Sequence, residues 1–348
     1  MCKTEMRKLI AFGRVKSLGV TALAIGMVAF QAKAEDAENH SNSQEGYECF
    51  APPQAAEPVT HMQWLERGLW ASHCYAFQAR AVAIDSVGVR TLALSHRIED
   101  GIRQQVVQYL DGPSVSIERR SPVGSLAWTE DNNIDGDLPS PAKWAAHLEK
   151  FYTIELEENA RVAGRDAVKL DFEPHDQWRF AHEWWLDRDT GLLLKQVLND
   201  RHGQVIETFQ ITQLQSPEKY TGSLRAYPPN VVLNTSWRAT WLPDGFVAQP
   251  ITFSGDEVEQ RVYSDGLATV SVFVEPLSSE SAADLQEGVQ QLGVSAVAIE
   301  HYVTDQGRWQ LVAIGELPVE TLQRIVSLIT FDEHDIEDAD QSVSGNDQ

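Results

Sequence analysis

The feature that most constrains this 348-residue chain is how often short alternating runs of apolar and polar residues end at a glycine turn. Asp111-Gly112-Pro113, Asp189-Thr190-Gly191 and Asp265-Gly266 each close such a run, as do Glu99-Asp100-Gly101 and Asp200–Gly203. Glycine reaches positive φ without a Cβ clash, so these breaks are efficient hairpin turns. Strands joined by turns this short can pair only antiparallel, which predicts a meander rather than a βαβ stack.

Strands are expected at 75–84, 89–98, 104–110 and 115–119, and then at 167–173, 180–186, 192–198 and 205–214. The 167–173 run alternates cleanly, with Val168, Leu170 and Phe172 on one face and Lys169, Asp171 and Glu173 on the other. Helices are expected at 59–72, with Met62, Leu65 and Leu69 on one stripe, and at 141–150. Residues 215–233 carry Pro217, Pro228 and Pro229 without clear periodicity, so they read as an interdomain linker. Beyond it, strands are expected at 235–241, 260–263, 269–275, 295–303 and 308–315, with helices at 281–292 and 319–329. The fold class is therefore α+β, in two domains.

The first 34 residues read as a secretory signal: a basic start, an apolar run from Leu18 to Phe30, and the small-x-small site Ala32-Lys33-Ala34. The apolar run is shorter than the roughly 20 residues that span a bilayer. Residues 35–57 read as a flexible arm and 331–348, rich in Asp and Glu, as an acidic disordered tail. A net charge of −23, more negative once the basic leader is removed, argues against nonspecific nucleic-acid binding and against adsorption to anionic membranes. Cys49 and Cys74 are the two cysteines that remain after cleavage. An oxidising compartment invites a disulfide between them, while their spacing says nothing of their distance in the fold.

Catalytic patterns are missing from the sequence. There is no Gly-x-Ser-x-Gly and no Gly-rich phosphate loop. His182-Glu183 begins like a zinc-protease helix, but Leu186 stands where the second histidine belongs, and the run alternates like a strand. No enzymatic activity, cofactor or metal is expected. Aromatics are more suggestive: Phe180, Trp184 and Leu186 share one face of their strand with His182, and Trp185 takes the other. Either a packed helix covers that apolar face, or it lines a cavity for an acyl chain, whose burial contributes about 0.8 kcal/mol per methylene.

Four segments resemble the RseB/MucB family of periplasmic regulators in the same order. They are Trp185-Leu186-Asp187-Arg188-Asp189-Thr190-Gly191-Leu192, Trp241-Leu242-Pro243-Asp244-Gly245-Phe246, the Val262–Glu275 turn and strand, and Gly315-Glu316-Leu317-Pro318 with the Thr321 helix. The resemblance implies a larger N-terminal domain at 58–214, a curved, unclosed antiparallel sheet (a half-barrel) over helices like the lipoprotein carriers LolA and LolB. It also implies a smaller α+β domain at 234–330 that binds the partner. That partner would be the periplasmic region of a membrane-bound RseA/MucA-like anti-sigma factor, shielded from site-1 proteolysis and released by lipopolysaccharide or a mislocalised lipoprotein. A homo-oligomer is also compatible with it.

On this reading Tyr263, Ser264, Asp265 and Gly266 are candidates for partner contact. Phe77, Leu92, Leu94, Phe172, Phe180, Trp184 and Leu186 are candidates for the lipid cavity. Arg119 and Arg120, in the part of the chain with the densest arginines, are candidates for a lipid phosphate. The alternative is a periplasmic carrier of the LolA/LolB type without a regulatory partner, against which the extra C-terminal domain argues.

Overall fold

Helix α1 (His61–Cys74) starts where Thr60 and Gln63 cap each other, each side chain bonding the other's backbone N–H. Its buried stripe of Trp64, Leu65, Gly68 and Leu69 faces a sheet. A computed structural model describes this region together with Cys49 and residues 57–99, 102–122, 141–221, 237–249, 259–277, 285–304 and 307–331. The expected leader and most of the arm lie outside the described residues, as does the tail beyond Phe331.

The first sheet has nine strands, all antiparallel, in the order β4-β3-β2-β1-β9-β8-β7-β6-β5. In chain order these are β1 (Tyr75–Asp85), β2 (Gly88–Glu99), β3 (Ile102–Tyr109), β4 (Ser116–Pro122), β5 (Tyr152–Val162), β6 (Arg165–Pro174), β7 (Ala181–Asp187), β8 (Leu193–Asn199) and β9 (Val205–Lys219). The edge strands β4 and β5 do not pair with each other, so the sheet stays unclosed. Helix α2 (Pro141–Leu148) packs on α1, and together they bury Val168, Leu170, Phe172 and Leu186. The contact is close: a Cβ on Gly68 would sit 2.9 Å from Leu186 Cδ1.

The second sheet runs β11-β12-β13-β16-β15-β14 and is also antiparallel. Its strands are β11 (Val247–Gln249), β12 (Glu259–Ser264), β13 (Thr269–Pro276), β14 (Gly288–Leu292), β15 (Ser295–Thr304) and β16 (Gly307–Gly315). Helix α3 (Val319–Ser327) covers one face through Leu322, Ile325 and Val326, beside a two-stranded ribbon of β10 (Trp237–Ala239) and β17 (Ile329–Phe331).

Three expectations change. The helix expected at 281–292 is strand over its second half, because Gly288–Leu292 pairs with β15 through a turn at Gly293 with φ +67; residues 281–284 lie outside the described residues. Strand β5 is not among the strands expected from the sequence, although Glu155–Glu158 read as solvated turn or strand-edge residues; an edge strand carries such charges without cost. The expected linker begins too early. Strand β9 continues past Leu214 to Lys219, with the register against β1 shifting near Ser216 (φ +39), and such a bulge accommodates Pro217.

Candidate functional site

A cluster of deeply buried polar groups lies where the two domains meet. Arg179, in the loop between β6 and β7, is 2% exposed. Its Nη1 donates to Asp265 Oδ2 at 2.7 Å and its Nη2 to the Asp244 carbonyl at 2.6 Å. Nη2 also reaches Asp176 Oδ2 at 2.8 Å, and the Phe151, Tyr152 and Phe246 rings surround the guanidinium. Burial opposes its charge, but Asp265, Tyr152 and Asp176 outweigh that and raise its pKa.

Asp265 is fully saturated. Oδ1 accepts from the backbone N–H groups of Leu267 and Ala268, and Oδ2 accepts from Arg179 and from the Tyr152 hydroxyl at 2.8 Å. Ser264 Oγ closes the same turn by donating to the Ala268 carbonyl. Gly266 has φ +103 and lies against the Trp144 indole, where a Cβ would overlap the ring. Gly245 has φ +86, and a Cβ there would come within 2.5 Å of Phe151 Cε2. Thr321 Oγ1 donates to the Trp178 carbonyl, and Arg324 stacks over Trp241 and Trp178. The three C-terminal motif segments thus converge on one junction. A second contact joins Val294, on the β14–β15 turn, to Phe180 and Leu198.

His182 lies beneath this junction, 2% exposed, with neither ring nitrogen hydrogen-bonded. Burial pulls its pKa down to about 4, with Asp265 acting the other way. The Trp185–Leu192 block has a different task. Asp187 takes a bidentate pair from Arg165 and a bond from Thr190, and Gly191 lets the turn meet α1 at Arg67 and Ala71.

The expected partner-contact residues are therefore corrected in place. Tyr263, Ser264 and Asp265 are 4%, 2% and 0% exposed, so as they stand these three offer a partner no surface. Tyr263 packs in the core of the second domain and Ser264 and Asp265 build the junction turn, while Gly266, against the Trp144 indole, stays half-buried. The seven lipid candidates divide into three groups. Phe172, Trp184 and Leu186 belong to the helix-covered core, and Phe180 to the second interdomain contact. Only Phe77, Leu92 and Leu94 share the other half of the sheet, with Val107, Tyr109 and Phe209 around the small residues Ala79, Ala81 and Ala83. There Phe77, Leu94, Val107 and Tyr109 are only half-buried, and α1 reaches this side through Trp70 as far as Phe77 and Leu214. Arg119 and Arg120 pair through their backbones with Gln105 and Gln104; their side chains lie outside the described residues. Cys49 and Cys74 form a disulfide with Cα atoms 5.3 Å apart, buried beside Trp70 and Leu192.

Arg179 and Tyr152 escaped the sequence reading. A lone arginine between Trp178 and Phe180 was the available signal, but its carboxylate lies 86 positions further on.

These features define a class: a two-domain antiparallel-sheet protein in which a buried ion pair, Arg179 with Asp265, fastens one domain to the other. The MucB/RseB N-terminal domain matches residues 60–231 and the MucB/RseB C-terminal domain residues 232–330. The chain belongs to the MucB/RseB family. It is 33% identical to the sigma factor AlgU regulatory protein MucB of Pseudomonas aeruginosa, over 78% of this chain and 91% of that one. It is 25% identical to the sigma-E factor regulatory protein RseB of Escherichia coli, over 75% and 87%. A solved complex of Pseudomonas aeruginosa MucA and MucB superimposes with a TM-score of 0.60 at 31% identity, covering 79% of this chain and all of that one. A second structure holds MucB with the periplasmic part of MucA.

Proposed function

We propose that this chain is a periplasmic regulator of an envelope-stress response. It binds the periplasmic region of a membrane-bound RseA/MucA-like anti-sigma factor through its 234–330 domain and shields that region from site-1 proteolysis. Lipopolysaccharide or a mislocalised lipoprotein, entering the 58–214 domain, releases it. The observation that carries the reading is the division of the first sheet. One half is packed under α1 and α2, while the other presents half-buried Phe77, Leu94, Val107 and Tyr109 around a row of alanines. Such a face suits acyl chains, and the junction at Arg179 links the same sheet to the second domain. A ligand releases the partner only if it favours the released arrangement over the bound one. The buried Cys49–Cys74 disulfide fits an oxidising compartment.

A protease-protection assay tests this. The periplasmic segment of a MucA-type anti-sigma factor is exposed to its site-1 protease with and without this protein, then with added lipopolysaccharide. Protection that the lipid abolishes is the expected result, and Val107→Glu should weaken the lipid effect. Absence of protection defeats the shield; protection indifferent to lipid defeats the sensor.

A further inference from the structure

Sheet edges expose unpaired backbone N–H and C=O groups, and proteins ordinarily blunt them with charge, proline, bulges or brevity. Among the described residues, three of the four edges of the two large sheets follow that rule. Strand β4 carries Glu118, Arg119, Arg120 and Pro122. Strand β5 carries Glu155, Glu157 and Glu158 and a register shift between Glu157 and Ala160. Strand β11 is only three residues long. Strand β14 is the exception. Gly288-Val289-Gln290-Gln291-Leu292 has no charge, no proline and an unbroken register against β15, and residues 288–291 are exposed. Val289, an apolar side chain, is 42% exposed.

A cleft runs alongside this edge, between β14, β15 and α3, and is lined by Glu287, Val289, Glu300 and Glu320 among others. Glu287 and Glu300 stand close enough that, after burial, Glu287 is the second cause raising the pKa of Glu300. Arg324 and His301 also border the cleft, but Arg324 is stacked on Trp241 and Trp178, and His301 lies toward Glu287. Glu320 lies 3.8 Å from Arg201 and Glu287 accepts from the His301 backbone N–H, so Glu287 and Glu300 are the carboxylates of the cleft that no lysine or arginine pairs with among the described residues. An incoming cation would relieve the repulsion, whereas an acidic segment, including this chain's own tail or a second copy of so acidic a chain, would add to it.

We propose that β14 is a docking edge for an extended polypeptide segment that adds as a seventh strand and places a lysine or arginine in the Glu287–Glu300 cleft. Main-chain hydrogen bonds supply affinity in this mode, and the cleft selects the side chain. The site is separate from the Arg179 junction and does not depend on the release mechanism above.

The probe is a capped nonapeptide of alternating Thr and Val with Lys at its centre, titrated onto the whole protein by calorimetry. Its comparators carry Glu at the centre or N-methylated alternate amides. The Lys peptide should bind saturably, at least about tenfold tighter than the Glu peptide, a difference of ~1.4 kcal/mol. N-methylation should abolish binding. Val289→Lys should weaken it as strongly, and the Glu287→Gln, Glu300→Gln pair should erase the preference for Lys over Glu. Circular dichroism confirms that each variant is folded, and the Gln pair keeps the test open if Val289→Lys does not fold. No binding by the Lys peptide, equal binding of Lys and Glu peptides, or binding untouched by these substitutions would overturn the proposal. So would self-association of the protein through β14, seen by sedimentation and lost in Val289→Lys.

Discussion

Arg179 Nη1 and Asp265 Oδ2 lie 2.7 Å apart across the domain junction, and neither side chain has any exposed surface. Removing one member of such a pair strands a buried charge, at a cost of about 3–5 kcal/mol, whereas replacing both with apolar groups is far milder. Arg179→Ala should therefore lower the urea midpoint sharply. The Arg179→Met, Asp265→Leu double variant should lose clearly less than the two single variants summed, with a coupling of roughly 0.5–3 kcal/mol. Strict additivity would show that the pair contributes little to holding the domains together.

Gly245 and Gly266 test the same junction sterically. Both have positive φ, and both sit where a methyl group would collide with an aromatic ring, Phe151 in one case and Trp144 in the other. Alanine adds left-handed strain of about 1–2 kcal/mol to overpacking of about 1–3 kcal/mol. We expect Gly266→Ala to destabilise the protein by a few kcal/mol and to raise proteolytic cleavage between the domains. At Gly164, also at positive φ but with open space around it, only the strain should be felt. Equal losses at Gly164 and Gly266 would remove the packing argument.

The contrast between those glycines shows what the sequence makes legible. The alternation of Val168, Leu170 and Phe172 announces strand β6 and its buried face, because the period-2 pattern is local. Asp265-Gly266 announces a turn for the same reason. That this turn meets Arg179 depends on packing between residues 86 positions apart, which no local pattern encodes. The lipid candidates divide for a related reason. Phe172 and Phe77 both face inward from one sheet, but only a tertiary fact, the placement of α1 and α2, determines which of them is covered.

Acid should weaken the fold through its buried histidines. His182 and His96 are both held at about 4 by burial, below the usual 6.5. A depressed folded-state pKa means that the unfolded chain binds protons first, so the stability present above pH 6.5 is lost as pH falls toward 4. For His182 the full effect is about 3 kcal/mol. Glu207 acts in the opposite sense: burial raises it to about 7 from 4.5, Arg90 lowering it and Asp85 adding, so its contribution is present below pH 4.5 and is lost as pH rises toward 7. His182→Leu should flatten the stability profile between pH 6.5 and 4, and Glu207→Gln should flatten it between 4.5 and 7. A His182→Leu profile parallel to that of the unaltered protein would mean that the imidazole titrates normally.

The disulfide offers the last test. Cys49–Cys74 closes a loop of 25 residues and ties the arm to the end of α1, where both sulfurs are buried against Trp70, Ala71 and Leu192. Cross-linking over that length restricts the unfolded chain by about 3 kcal/mol. The Cys49→Ser, Cys74→Ser variant should therefore melt several degrees lower, and the unaltered protein in reductant should follow it. Cysteine to serine also places hydroxyls among apolar neighbours, so the Ala, Ala variant separates loss of the link from burial of a polar group. If both double variants melt with the oxidised protein, the link adds nothing to the folded state and the two free ends of the loop are held by packing alone.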